Sequence, residues 1–233
     1  MLSRTPGQAQ ILNPVPNAHP AGNFSAVSSF DTLDDALDLM GAVMPFSRDM
    51  EIYGEGESAD SLYRIVSGAV RTHKLLNDGR RQIGGFYLPG DILGMEAGDV
   101  NRLSAEAICD SKILVVARSA VIELASRQCE VARQLWAATT RELEHLQNLM
   151  LTLGRKTAQE RIATFLLEMV SRSGEPDAVD LPMSRQDFAD YLGMTIETVS
   201  RTLTQLENAA AIALPSSRRV VLRNRAALNR LNS

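Results

Sequence analysis

Apolar and polar positions change period twice along the chain, and each change predicts a different kind of element. Residues 1–29 follow neither a helical nor a strand period. With Pro6, Pro14, Pro16 and Pro20 among scattered Gly, Ser and Asn, they predict a mobile tail. A short amphipathic helix follows, with Asp31 as its cap and Leu33, Ala36, Leu37 and Met40 on one face. From Met44 to about Arg118 the period drops to two. Strand-length runs over 61–66, 69–76, 81–88 and 112–117 are separated by turn residues such as Ser67-Gly68, Asn77-Asp78-Gly79-Arg80 and Pro89-Gly90-Asp91. That spacing predicts an all-β sandwich or barrel.

After Ser119 the period lengthens. No proline occurs from Val121 to Leu153, and Val131, Leu135, Thr139, Leu143, Leu146, Met150 and Leu153 recur at steps of 3 and 4. This predicts one long helix with a narrow apolar seam of coiled-coil type. A continuous seam between a β domain and a basic domain points to a dimer interface, formed by Val131, Leu135, Leu143, Leu146, Met150 and Leu153. The alternative is a helix packed on its own domain. Beyond it the pattern predicts a helix over 157–171, a linker turn at 174–177 and two short helices. A strand pair, Ala213-Leu214 and Val220-Val221-Leu222, then flanks the turn Pro215-Ser216-Ser217-Arg218. The expected class is α+β. A tail (1–29) precedes a β-roll effector-type domain (30–120), a dimerisation helix (121–153) and a winged helix-turn-helix (154–233).

Composition narrows the function. No stretch approaches the ~18 apolar residues of a membrane helix, and no export signal is visible at the N-terminus. Two cysteines, Cys109 and Cys129, are too few for a disulfide scaffold, so a cytoplasmic protein with reduced thiols is expected. The net charge of −4 disguises an asymmetry: residues 1–153 carry −6 and residues 154–233 carry +2. From Ser216 to Arg230 there are five arginines and no acid. The acidic whole therefore contains a basic end, as a nucleic-acid binder requires.

The segment from Met183 to Arg201 is the most specific in the chain. Ser184 followed by Asp187 resembles a capping box, Gly193 suits a turn that needs positive φ, and Thr195 is a good N-cap for a second helix. At 100° per residue, Ser200, Arg201 and Thr204 fall on the side of Glu197, while Ile196, Val199, Leu203 and Leu206 fall opposite. In a major groove Arg grips guanine, Glu accepts from cytosine and Ser reaches either edge. Glu197, Ser200 and Arg201 are thus the candidate base contacts. Ser184, Arg185, Thr195, Thr198, Thr204, Arg218 and Arg219 are expected to touch or support the DNA backbone. The competing reading, an i,i+4 surface pair between Glu197 and Arg201, ignores the arginine-rich hairpin that follows.

These motifs resemble the CRP/FNR family of bacterial transcription regulators from residue 31 to 233. Gly54-Glu55-Gly56-Glu57, the hairpin from Leu62 to Val70 and Leu88-Pro89-Gly90-Asp91 are similar to the family's effector β-roll. The helix Ile196-Glu197-Thr198-Val199-Ser200-Arg201 resembles the FNR/FixK branch, and Leu75 to Ile83 resembles FixK proteins in particular. The resemblance implies a homodimer that reads a TTGAT–N4–ATCAA-like palindrome, recruits RNA polymerase and serves microaerobic or nitrogen-fixation genes, as an activator and not an enzyme.

The family's sensory residues are missing at their aligned positions. Met95 stands where cyclic-nucleotide binders carry the ribose Glu, and Leu103 where they carry the phosphate Arg. Arg102 is one residue out of register, and so on the other face of the strand. No cyclic nucleotide is expected. Two cysteines cannot ligate an iron–sulfur cluster, His73 and His145 lack an evident second haem ligand, and no cofactor or metal is expected. The alternatives are a ligand-gated relative with an unidentified small-molecule or redox effector (Cys109 or Cys129), and a cupin-type enzyme, for which the β segment offers only His73.

Overall fold

The computed structural model describes residues 32–232, so the tail expected over 1–29 lies outside the described residues. Helix α1 (Leu33–Met40) is capped by Thr32 and not by Asp31: the Thr32 hydroxyl accepts the Asp35 N–H at 3.1 Å. Its buried face, Leu33, Ala36 and Leu37, is the expected one.

Eight strands follow: β1 (Ala42–Phe46), β2 (Glu51–Tyr53), β3 (Ser61–Ser67), β4 (Val70–Leu75), β5 (Arg81–Tyr87), β6 (Ile92–Leu93), β7 (Ser104–Ala107) and β8 (Ser111–Ala117). They form two antiparallel four-stranded sheets, ordered β1-β8-β3-β6 and β2-β7-β4-β5. Between the sheets lie Phe46, Tyr53, Ile65, Val70, Leu93 and Ile113, all buried, with the Tyr53 and Tyr63 rings 5.1 Å apart. The four runs expected as strands are β3, β4, β5 and β8. Strands β1, β2, β6 and β7 escape the two-residue period because they are short, contain Pro45, or use small and charged side chains such as Ser104 and Glu106.

The long helix expected from Val121 is two helices. α2 (Arg118–Arg127) and α3 (Cys129–Arg155) are separated by Gln128 at φ −126° and ψ 106°. No proline marks this break. Packing does: the bend lets Val121 of α2 and Val131 of α3 both enter one core with Leu33, Leu37 and Leu114.

The remainder holds α4 (Ala158–Ser173), β9 (Ala178–Asp180), α5 (Arg185–Leu192), α6 (Ile196–Asn208), β10 (Ile212–Ala213), β11 (Arg219–Leu222) and α7 (Arg225–Asn232). The wing is a three-stranded sheet, β10-β11-β9, in which β9 follows directly on the expected linker turn. The C-terminal core does not stop at the domain boundary expected near residue 153. Ala69, Ile83, Phe86 and Ile108 of the β-roll share one buried cluster with Phe165, Phe188 and Leu192. Phe86 meets Tyr191 at 5.1 Å and Phe165 at 6.1 Å between ring centroids.

Candidate nucleic-acid interface

Three local devices shape the helix-turn-helix. The capping box at the start of α5 is reciprocal: the Asp187 N–H donates to the Ser184 hydroxyl and the Ser184 N–H to the Asp187 carboxylate, each at 3.0 Å. Gly193 closes α5 at φ 61°, in the left-handed region where a side chain costs conformational energy. Thr195 then caps α6, accepting the Thr198 N–H at 3.2 Å.

Helix α6 divides as its sequence predicts. Val199, Thr202, Leu203 and Leu206 are buried, whereas Glu197, Ser200, Arg201 and Thr204 are exposed together. Glu197 and Arg201, four residues apart, form no ion pair, so the surface-pair reading fails and both heads stay available. The Glu197 carboxyl is held below its usual range by its own backbone N–H and by the Thr195 hydroxyl. It therefore presents a full negative charge as a hydrogen-bond acceptor. Thr204 turns its hydroxyl back onto the Ser200 carbonyl at 3.1 Å.

The expected backbone contacts are not equivalent. Arg218 is exposed in the wing turn, and among the described residues its guanidinium donates only to the Pro182 carbonyl, at 3.3 Å. Arg219 corrects the expectation: its guanidinium is claimed by Asp180 at 2.6 Å and Glu175 at 2.5 Å, which raise its pKa and tie β11 to β9. It braces the wing, with three of its five N–H groups already donated. Arg185 is half-buried with Nη1 unpartnered among the described residues, and burial lowers its pKa.

The seam on α3 is corrected at its start. Val131 is completely buried in the chain's own core and so has no face to offer a second chain, whereas Leu135 is half-buried against the same cluster. Leu153 is half-buried. What remains open is Leu143 at 55%, Leu146 at 45% and Met150 at 65% exposure, joined by Trp136 at 76%. Trp136 lies seven positions before Leu143, so the heptad spacing alone places it on the same face.

Two further residues have long-range roles that the sequence pattern does not show. Arg161 of α4 donates to three carbonyls: Lys156 at 3.0 Å, Leu192 at 2.8 Å and Leu153 at 2.8 Å. It thereby fixes the end of α3 and the end of α5 on one guanidinium. Asp187 is the other. Besides capping α5 it accepts from Arg71 of β4 at 3.0 Å and Arg81 of β5 at 2.5 Å, docking the reading head on the β-roll.

In the β-roll, Leu103 lies so close over Gly84 that a Cβ added there would sit 2.6 Å from Leu103 Cδ1. The loop after Gly94 is held from within, by Arg118 donating to the carbonyls of Glu96 and Gly98, each at 2.6 Å. No group of three or more His, Cys, Asp or Glu able to hold a metal occurs among the described residues, and no described helix is long and apolar enough to cross a membrane.

Comparison with known proteins agrees with this geometry. Residues 160–231 match the Crp-like helix-turn-helix domain family and residues 43–128 the cyclic nucleotide-binding domain family. The nitrogen fixation regulation protein FixK of Azorhizobium caulinodans is 51% identical over 199 residues, covering 83% of this chain and 80% of that one. FixK of Rhizobium meliloti is 41% identical over 181 residues, covering 78% and 82%. The solved structure of FixK2 from Bradyrhizobium japonicum superposes with a TM-score of 0.80 at 51% identity, covering 83% of this chain and 98% of that one. Two family models matched in order along the chain, with FixK relatives at 41–51% identity over more than three quarters of it, place the chain in the CRP/FNR family of transcription regulators, in its FixK-like branch.

Proposed function

We propose that the protein is a cytoplasmic, homodimeric activator that reads a TTGAT–N4–ATCAA-type palindrome, recruits RNA polymerase, and controls genes of the nitrogen-fixation or microaerobic class. The observation that carries this reading is the α6 face. Glu197, Ser200 and Arg201 are exposed on one face, over a buried stripe that fixes their direction. Arg201 supplies the fork for guanine and Glu197 the acceptor for an amino group at the neighbouring pair. Ser184 and Arg218 flank that face for phosphate. The exposed Trp136, Leu143, Leu146 and Met150 stripe supplies the two-fold contact that a palindrome requires.

Activity needs no cyclic nucleotide in this reading. Met95 and Leu103 offer no charge to ribose or phosphate, and Arg118 already holds the loop that an effector would organise. The named functions of the FixK relatives support the gene class. The test is selection of binding sites from random duplexes by purified protein without added effector. A TTGAT-type half-site is the expected product. A TGTGA-type consensus would move the protein to the cyclic-AMP receptor branch, and no consensus would discard the α6 assignment.

A further inference from the structure

Between the β-roll and the start of α5 lies a cleft of about 330 Å³, with four arginines and two aspartates on its wall. The β-roll contributes Arg48, Asp49, Arg71 and Arg81, and the reading head contributes Asp187 and Arg218. The inner arginines are answered. Asp187 is shared by Arg71 and Arg81, Glu106 takes Arg71 at 2.9 Å, and Asp190 takes Arg81 at 2.8 Å. Even so, Arg71, with a side chain only 10% exposed, keeps a buried Nε with no partner among the described residues. The outer arginines are not answered. The Arg48 guanidinium forms no ion pair or hydrogen bond among the described residues, and Arg218 has one carbonyl at 3.3 Å. Asp49 lies 3.8 Å from Arg71 and is largely exposed. Ser184, at the electropositive start of α5, lines the same cleft.

We propose that this cleft is a phosphate-binding site, closed by Arg48 from the β-roll and Arg218 from the reading head. Two guanidinium forks facing one space call for more acceptor oxygens than a carboxylate carries, and phosphate supplies them bidentately to each. The volume exceeds that of a phosphate ion, leaving room for the organic group to which it is attached. The phosphate is that of a small phosphomonoester or of a DNA backbone. Because the two forks stand on different domains, either source would clamp the reading head to the β-roll.

The experiment follows the unfolding temperature of the full chain against millimolar inorganic phosphate, at ionic strength held constant with chloride, for wild type and Arg48→Gln. It also measures the salt dependence of binding to a long duplex for both proteins. Arg48 is exposed, so the substitution leaves the core intact. A rise of a few degrees in wild type that Arg48→Gln abolishes supports the site and assigns it to free phosphate. No rise in either, with a salt slope lower by about 0.9 in Arg48→Gln, supports it and assigns it to the DNA backbone. An equal rise in both proteins with equal slopes, or no rise and equal slopes, overturns it. The thermal arm contains no DNA, so a failed palindrome reading and a failed phosphate site give different results.

Discussion

Arg161 Nη1 donates to the Leu192 carbonyl at 2.8 Å, so the last turn of α5 is held by α4, the helix that follows α3. With its other nitrogens on Leu153 and Lys156, this one side chain sets the angle between α3 and the DNA-reading turn. Arg161→Met should lower stability by roughly 2–4 kcal/mol, since several carbonyls lose a charged donor. Specific DNA affinity should fall more than nonspecific affinity, because the half-site geometry loosens while phosphate contacts survive. Arg161→Lys, a point charge without the fork, should recover only part of both. Denaturant unfolding beside binding to specific and random duplexes checks this.

The α3 seam yields a paired prediction. Leu146→Asp places a carboxylate on the open stripe and should produce a folded monomer without operator binding, because burying that charge against its mate costs several kcal/mol. Val131→Ala, fifteen residues earlier on the same apparent seam, should lower stability by about 1–3 kcal/mol and leave the dimer intact, since Val131 fills its own protomer's core. Sedimentation separates the two outcomes.

Local features of this fold are legible in the sequence. The two caps, Gly193 and the α6 faces rest on interactions within four residues, which periodicity and side-chain chemistry report well. What stayed hidden depends on distant chain. The break at Gln128 exists because Val121 and Val131 both reach the core under α1. Strand β9 has three residues and owes its state to pairing with β11. Arg219 read as a phosphate contact because Glu175 and Asp180 are 44 and 39 residues away in sequence and only folding brings them to it.

The wing arginines should accordingly behave differently. Arg218→Ala should weaken binding to all sequences alike and lower the salt slope by about one unit. Arg219→Ala should leave that slope nearly unchanged and instead lower the melting temperature slightly, since its ion pairs are solvent-accessible. Binding titrations across salt concentration, with thermal melts, discriminate between them.

On the reading face, Arg201→Ala should cost about 1–3 kcal/mol on a specific half-site and flatten the preference at its G·C pair. Glu197→Ala should lower discrimination while raising nonspecific affinity, because it removes a charge that repels the backbone. Competition binding with single-base variants of the selected site reads both effects.

His145 on α3 stands 3.3 Å from Glu168 of α4 and 3.2 Å from the Tyr191 hydroxyl of α5, with Arg172 of α4 and Glu142 of its own helix beside it. Glu168 raises its pKa above 6.5, against the opposing pull of burial. A raised folded-state value means that the protonated form favours the native state. Its contribution is fully present below about pH 6.5 and is lost as pH climbs through the raised value. The melting temperature of wild type should therefore exceed that of His145→Gln most at mildly acidic pH, with the gap closing towards alkaline pH. A gap that widened with pH would reverse the assignment.

Phe86, a β-roll residue, meets Phe165 edge-on and Tyr191 at a tilt, and its carbonyl accepts from Arg172. The reading head therefore borrows part of its interior from the other half of the molecule. Evolution has not left two interchangeable modules joined by a swivel here. Substitutions at position 86 are felt simultaneously by the β-roll and by the DNA reader, and a transplanted reader that left β5 behind would carry an oily wound where Phe86 used to be.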